Sequence, residues 1–293
     1  MGTSTRGSGL RRPARRSFGV TGIAAAIARE PVALLGLALV LVYVGVALTV
    51  GILPLRDPLL LSTHRLEPPS AAFPLGTDAL GRDLLSRILF GARLSMQVAV
   101  FSVAVATVVG GILGLVSGYL GGAVDLVVGR AMDVLFSFPA ILLALGIVAA
   151  LGPDPSNVII AIAVVYTPIF ARVVRGPVLA LKAREFVEAA RAVGATPVRI
   201  LLRHILPNLL STLVVQVSLA LSWAVLTEGA LSFLGLSAQP PAPSWGVMLS
   251  EGRQYLEFAT YLAIFPGMAI MVAVLGFNLL GDGLRDALDP QRR

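Results

Sequence analysis

Few side chains in these 293 residues could do covalent or metal chemistry. There is no cysteine, which removes thiol catalysis, zinc–thiolate sites and disulfides. Two histidines, His64 and His204, cannot build a three-histidine metal centre. Lys182 is the only lysine, and no Gly-Lys-Ser/Thr loop precedes a helix, so no phosphate-cradling P-loop is expected. Neither His-Glu-x-x-His nor Gly-x-Ser-x-Gly occurs. Asp133 and Asp282 could be imagined as an intramembrane aspartyl pair, but both stand near the ends of apolar runs, where a solvated acid needs no explanation. Glu228 is different, because it lies inside an apolar run, where an acid is costly unless it is neutral, paired or in reach of water. Pairing, with Arg253 for instance, and snorkelling to the headgroups both account for it. No catalytic, cofactor-binding or metal-binding residue is expected, and the alternatives are binding and transport.

The composition explains that scarcity. Hydrophobic residues make up 56% and charged residues 13%, with a mean hydropathy of +0.87. Soluble domains carry about 25% charged residues, so a water-soluble enzyme, a disordered chain and a fibre are all disfavoured. The chain reads as an all-α integral membrane protein. Six runs are long and apolar enough for spanning helices, which need about 20 residues. They cover 32–53, 95–120, 134–151, 158–174, 209–234 and 260–280. They are too long for barrel strands.

Basic residues orient these spans. With the N-terminus inside, 17 lie on the inner side and 6 outside, so both termini are expected on the inner side of a membrane that the chain crosses several times. The net charge of +7 is therefore read as topology rather than as nucleic-acid binding. Arg15-Arg16-Ser17-Phe18 resembles a twin-arginine export signal, but the run from Val32 is too long for a signal core and lacks a small-residue cleavage site. The expected organisation is an inner tail (1–31), a first span (32–53), an external loop (54–94), a multi-span body (95–284) and an inner tail (285–293). Prolines 54, 58, 68, 69 and 74 make the external loop irregular, and apolar spacing over 79–94 predicts an interfacial helix with Arg82, Arg87 and Arg93 solvated.

Periodicity assigns faces to the spans. Ala106, Gly110, Gly114 and Gly118 form a small-xxx-small stripe suited to close helix packing. In the fifth span Ser211, Ser218, Ser222 and Gly229 form a small face suited to packing. Thr212, Gln216, Trp223 and Thr227 form a polar and aromatic face that suits a cavity or interhelical hydrogen bonds; with Glu228 they are the pore-lining candidates. Pro168 and Pro266 interrupt two spans. The polar stretch 182–207 reads as two short helices. Gly194 stops the first in a left-handed cap, and Thr196-Pro197 starts a second that ends near His204. Exposed charges and Phe186 there suit docking of a cytoplasmic partner, or a hairpin on the lipid surface.

Glu188-Ala189-Ala190, then Gly194, then Leu206-Pro207 resembles the EAA motif of bacterial ABC importer permeases. His204 stands where that pattern often has an apolar residue, and His204-Ile205-Leu206-Pro207-Asn208 is similar to the peptide and nickel branch. Leu75-Gly76-Thr77-Asp78, Leu231-Ser232-Phe233-Leu234-Gly235, Ser244-Trp245-Gly246 and Gly281-Asp282-Gly283 also resemble the dipeptide and oligopeptide permeases of that branch. The resemblance implies a type I importer permease fold in which Glu185, Phe186, Glu188, Ala189, Ala190, Gly194, Leu206 and Pro207 couple to an ATPase. It implies a second homologous permease, two ATP-binding subunits holding the ATP and Mg, and an extracytoplasmic substrate-binding protein. The cargo implied is a peptide, with nickel or another small solute as the alternative; an ion-driven secondary transporter would need more midplane ionisable groups than Glu228 alone.

Overall fold

The computed structural model describes residues 30–288 and, among them, contains helices and loops but no strand. The N-terminal tail, including the twin-arginine look-alike, lies almost wholly outside the described residues. In chain order the helices are α1 (Pro31–Thr49), α2 (Leu84–Leu120), α3 (Gly122–Phe136), α4 (Ala140–Leu151), α5 (Pro155–Lys182), α6 (Glu185–Ala192), α7 (Pro197–Ile200), α8 (Leu206–Phe233), α9 (Trp245–Gly252) and α10 (Tyr261–Leu288). Five stretches are long and apolar enough to cross a membrane, or six if the bent pair α3–α4 is one span.

The α2–α5 packing is the most extensive helix–helix contact. It forms because the expected small stripe faces α5. A Cβ added at Gly110 would lie 2.4 Å from the Thr167 carbonyl oxygen, and one at Gly114 would lie 2.4 Å from that of Ala171. Each glycine therefore marks a point where the second backbone occupies the side-chain position. Helix α10 packs on α1 and α8. The small face of α8 is buried at Ser218, Ser222 and Gly229 and half-buried at Ser211. Pro168 and Pro266 lie within the continuous helices α5 and α10.

Three expectations are corrected. The separate interfacial helix over 79–94 is absent: Ala79–Asp83 is loop, and the remainder forms the first turns of an unbroken α2 capped by Asp83, whose carboxylate accepts from the Ser86 amide at 2.9 Å. Two of its arginines are not solvated. Arg82 Nε donates to Asp78 Oδ2 at 2.6 Å, and Arg87 Nη2 lies 3.4 Å from Glu251 Oε2; the two arginines are only 4% and 1% exposed. With their charges matched, nothing forces this segment out to the headgroups. The run 134–151 is not a single straight span, because α3 and α4 meet at 89°. Pro139 disfavours helix at Phe138, and the Ser137 hydroxyl donates to the Val134 carbonyl at 2.7 Å, closing α3 before the break. Finally, the second short helix does not end near His204. It passes through one wide π-helical turn, Leu201–Ile205, directly into α8. That turn shifts the backbone bonding register just before Pro207, which has no amide hydrogen to donate.

Because the Gly114 position is filled by backbone, Gly114→Leu should force α2 and α5 apart. Overpacking of this kind costs about 1–3 kcal/mol or more. Thermal unfolding in detergent should show a clearly lowered midpoint, whereas Gly111→Leu, with nothing within 4 Å of its added Cβ, should leave the midpoint near wild type.

Candidate functional site

Among the open surfaces of the described residues, two bear on the expected site residues. The first is a cavity of about 620 Å³ between the start of α4, the middle of α5 and α8. Gln216, Trp223 and Thr227 line it, opposite Tyr166, Ile169 and Phe170 of α5. The Tyr166 and Thr227 hydroxyls lie 3.0 Å apart and share a hydrogen bond, and the Thr227 hydroxyl also lies 2.9 Å from the Trp223 carbonyl oxygen. The wall is thus aromatic and aliphatic with an amide and two hydroxyls, which suits a ligand that is solvated by weak hydrogen bonds and apolar contact. Trp223 is 61% exposed, an unusual state for a large aromatic unless another surface covers it.

Three of the four residues of the expected polar face meet here. Thr212 is exposed but stands outside the cavity lining. Glu228 departs from expectation more sharply: it is 0% exposed, and its carboxylate accepts from Ser95 at 2.8 Å and Ser237 at 3.2 Å. It faces the packed interior between α2 and the 234–244 loop, not the cavity and not Arg253. The 100° step explains this, since Glu228 follows Thr227 and so points away from the cavity face. Tyr166, Ile169 and Phe170 were missed, although their i, i+3, i+4 spacing beside Pro168 marks one face of α5. Asp133 lies on α3 within 3.5 Å of Arg172 and Asp282 is exposed on α10, so neither lines the cavity.

The second surface is the α6–α7 pair. Gly194 adopts φ +79°, and the amides of Gly194 and Ala195 reach back to the carbonyls of Arg191 and Ala190, closing α6 as expected. Thr196 caps α7 with Pro197 behind it. Val187, Ala190, Ile200 and Ile205 are buried against Tyr119 of α2 and Val174 and Val178 of α5. Arg191 sits 5.5 Å from the Tyr119 ring, adding a cation–π contact. Glu185, Glu188 and Ala189 are exposed, Phe186 is half-buried, and Ala190 faces the core. Leu206 is half-buried and Pro207 exposed at the start of α8. A hollow of about 660 Å³ opens between the two helices, lined by Phe186, Ala189, Gly194, Arg199 and His204. Val193 and Val198, 84% and 64% exposed, add apolar area to this end of the molecule.

Residues 106–293 match the family model described as "Binding-protein-dependent transport system inner membrane component". The dipeptide transport system permease protein DppC of Alkalihalophilus pseudofirmus is 50% identical over 231 residues, 79% of this chain and 76% of that protein. The glutathione transport system permease protein GsiD of Pectobacterium atrosepticum is 51% identical over 225 residues, 77% of this chain and 75% of that one. Among solved structures, an inward-facing MetNI methionine ABC transporter chain superposes with a TM-score of 0.57 at 21% identity, covering 70% of this chain and 98% of that one, a likeness of fold.

The cavity's accessibility is directly measurable, since the chain has no native cysteine. Single cysteines at Gln216, Trp223 and Thr227 should react with a water-soluble maleimide in membranes. Cysteines at Ser218 and Ser222, which are 6% and 2% exposed, should react at least about tenfold more slowly, as groups protected by about 1.4 kcal/mol of local opening would. Equal rates on the two faces would mean that the division into an open and a packed face has no physical basis.

Proposed function

The chain belongs to the family of inner membrane components of binding-protein-dependent transport systems, and from that membership we propose that it forms one half of the translocation pore of an ATP-driven peptide importer. The cargo reading draws on the two relatives named for a dipeptide and for glutathione, itself a short peptide. The cavity wall is consistent with it: Gln216, Thr227 and Tyr166 offer hydrogen bonds to amide groups, and the aromatic and aliphatic remainder tolerates varied side chains. A second permease would complete the pore and cover Trp223. Two ATP-binding subunits would supply ATP and Mg, and an external binding protein would deliver cargo. Both termini lie inside in this reading, which keeps the α6–α7 pair on the ATPase side.

One observation carries the proposal. The α6–α7 pair is joined through a continuous apolar cluster to the ends of α2 and α5, while its far side is an open hollow lined by apolar and basic groups, with Glu185 and Glu188 exposed on α6. A partner gripping that hollow moves α5, and α5 carries Tyr166, Ile169 and Phe170 into the cavity wall. Glu185, Phe186, Glu188 and Ala189 are the contacts proposed for the ATPase, with Gly194 shaping the turn. Glu185 and Glu188 stand in the first turn of α6, where the helix dipole favours acids. The chain's own role is to bind, shape and switch a passage, while hydrolysis belongs to the partners.

The test is a complex reconstituted in proteoliposomes with its permease partner, ATPases and binding protein. Gly194→Val puts a β-branched residue at φ +79°, costing about 1–2 kcal/mol, equivalent to about 5- to 30-fold in the population of the native turn. Glu188→Lys reverses an exposed charge. Both variants should insert normally, yet lose peptide-stimulated hydrolysis and uptake. Full stimulation by the double variant would exclude the pair from coupling.

A further inference from the structure

Helix α3 buries none of its 15 residues. Leu126, Val127 and Val134 are 60% to 67% exposed, so apolar packing within this chain does not fix where the helix lies. Both of its ends are corners. Gly121 and Gly122, at φ +70° and +54°, join it to α2 in a conformation that other residues rarely adopt. At the far end the chain bends by 89° into α4.

What reaches α3 from the bundle is charge. Arg172 and Arg175 stand three residues apart and therefore on one side of α5. Arg175 grips Asp125 through both Nε and Nη2, the latter at 2.6 Å from Oδ2, a bidentate geometry that sets orientation as well as distance. Arg172 pairs more loosely with Asp133 at 3.5 Å and lies over the Phe136 ring, 4.4 Å from its centroid. Asp125 stands near the start of α3, and Asp133 and Phe136 near its end, so the two arginines hold the helix along its length. The four charged side chains are 20% to 66% exposed, and pairs of that kind add little to stability. Their effect is to set a position.

We propose that Arg172 and Arg175 are positioning residues that make α3, and with it the first turn of α4, follow the movements of α5. The same stretch of α5 carries Val174 and Val178, which seat α6 and α7. Beyond α3, the chain enters α4 with Ala140 and Ile141, both of which line the cavity. Helix α4 is buried only further on, at Ala144 and Val148, so its first turn takes its direction from α3. A displacement of the α6–α7 pair thus reaches the cavity by two routes. One is the wall of α5 itself, and the other runs through the arginines to the start of α4. The purpose given to these ties rests on the transport reading above; the ties themselves are a property of this chain.

Spin labels on cysteines at Val127 of α3 and Leu179 of α5, 67% and 39% exposed, read the separation of the two helices in membranes containing the full chain. The otherwise unmodified chain should give one narrow distance. Asp125→Asn with Asp133→Asn should broaden it, and Asp125→Arg with Arg175→Asp, which rebuilds the pair in reverse, should stay narrow. Arg175→Lys keeps the charge without the fork and should give an intermediate width, a reading that stands even if the doubly neutralised chain fails to insert. An unchanged width in the neutralised chain and in Arg175→Lys, or a reversed pair as broad as the neutralised one, overturns the ties. In the complex reconstituted with its permease partner, ATPases and binding protein, the neutralised chain should assemble normally. Its peptide uptake per ATP hydrolysed should fall about threefold, equivalent to about 0.7 kcal/mol of lost coupling, and the reversed pair should restore it. A broadened distance with uptake per ATP unchanged overturns the positioning role. Broadening in membranes, with no peptide uptake by the wild-type complex, upholds the ties and overturns the transport reading instead.

Discussion

The close approach of α2 and α5 is the constraint on which the rest of the molecule depends. Inside a bilayer there is no hydrophobic gain in bringing two helices together, so dispersion at short range must supply the attraction. Gly110 and Gly114 supply it by yielding their side-chain space to the backbone of α5. The same contact sets where α5 points its other residues. Phe170 lies against Gly110 on one side and contributes to the cavity on the other, while Val174 and Val178 continue down to the cluster that seats α6 and α7. The cavity wall and the α6–α7 surface are therefore two ends of one stiff element, and the separation between them is bridged by packing rather than by a loop.

The opposite end is assembled by a different physics. Asp78, Arg82, Arg87 and Glu251 bring the loop before α2, the start of α2 and the end of α9 together through ion pairs that are largely buried. The Trp245 bond to Ile88 and the serines around Glu228 hold the other end of α9 and the loop before it. Such contacts cost desolvation and give modest net stability, but they are directional and specify one arrangement among the apolar alternatives. Apolar packing without discrete partners resists displacement smoothly. A hydrogen-bonded junction instead holds only where donor and acceptor align, so it fixes the loop in one arrangement.

Much of this was legible in the chain itself. The four-residue stripe of small residues, the Gly194 stop, the Thr196-Pro197 start and the two faces of α8 are local patterns, and local patterns survive whatever the rest of the fold does. What failed was long-range. Arg82 and Arg87 read as solvated because their burial needs α9 to close over them with Glu251, more than 160 residues further on, although Asp78, which also pairs with both, lies nearby in the chain. Glu228 read as facing water because Ser95 and Ser237 become a polar shell only after α2 and the loop have closed over it. The break between α3 and α4 was visible as Pro139, but an unbroken apolar run carried more weight than one proline. The continuous path from α7 into α8 was hidden because a wide turn has no sequence signature beyond the proline it accommodates.

The asymmetry between the two ends also explains why an acid is tolerated at position 228. A carboxylate among aliphatic side chains would be driven to protonate or to pull its helix toward the headgroups. Here it is met by hydroxyls from α2 and the loop, each on an element that a different contact already anchors: Ser95 on the glycine-packed α2, and Ser237 in a loop whose Ser244 is bonded to Ser232 and whose next residue, Trp245, is bonded to α2. The acid thus adds one more tie between α2 and a loop that backbone bonds from Gly235 and Leu236 to α8, hydroxyl bonds and the Trp245 indole also hold. Its two oxygens are met from two different elements in a fully buried setting, which is why an acid that bare hydrocarbon would expel is tolerated here.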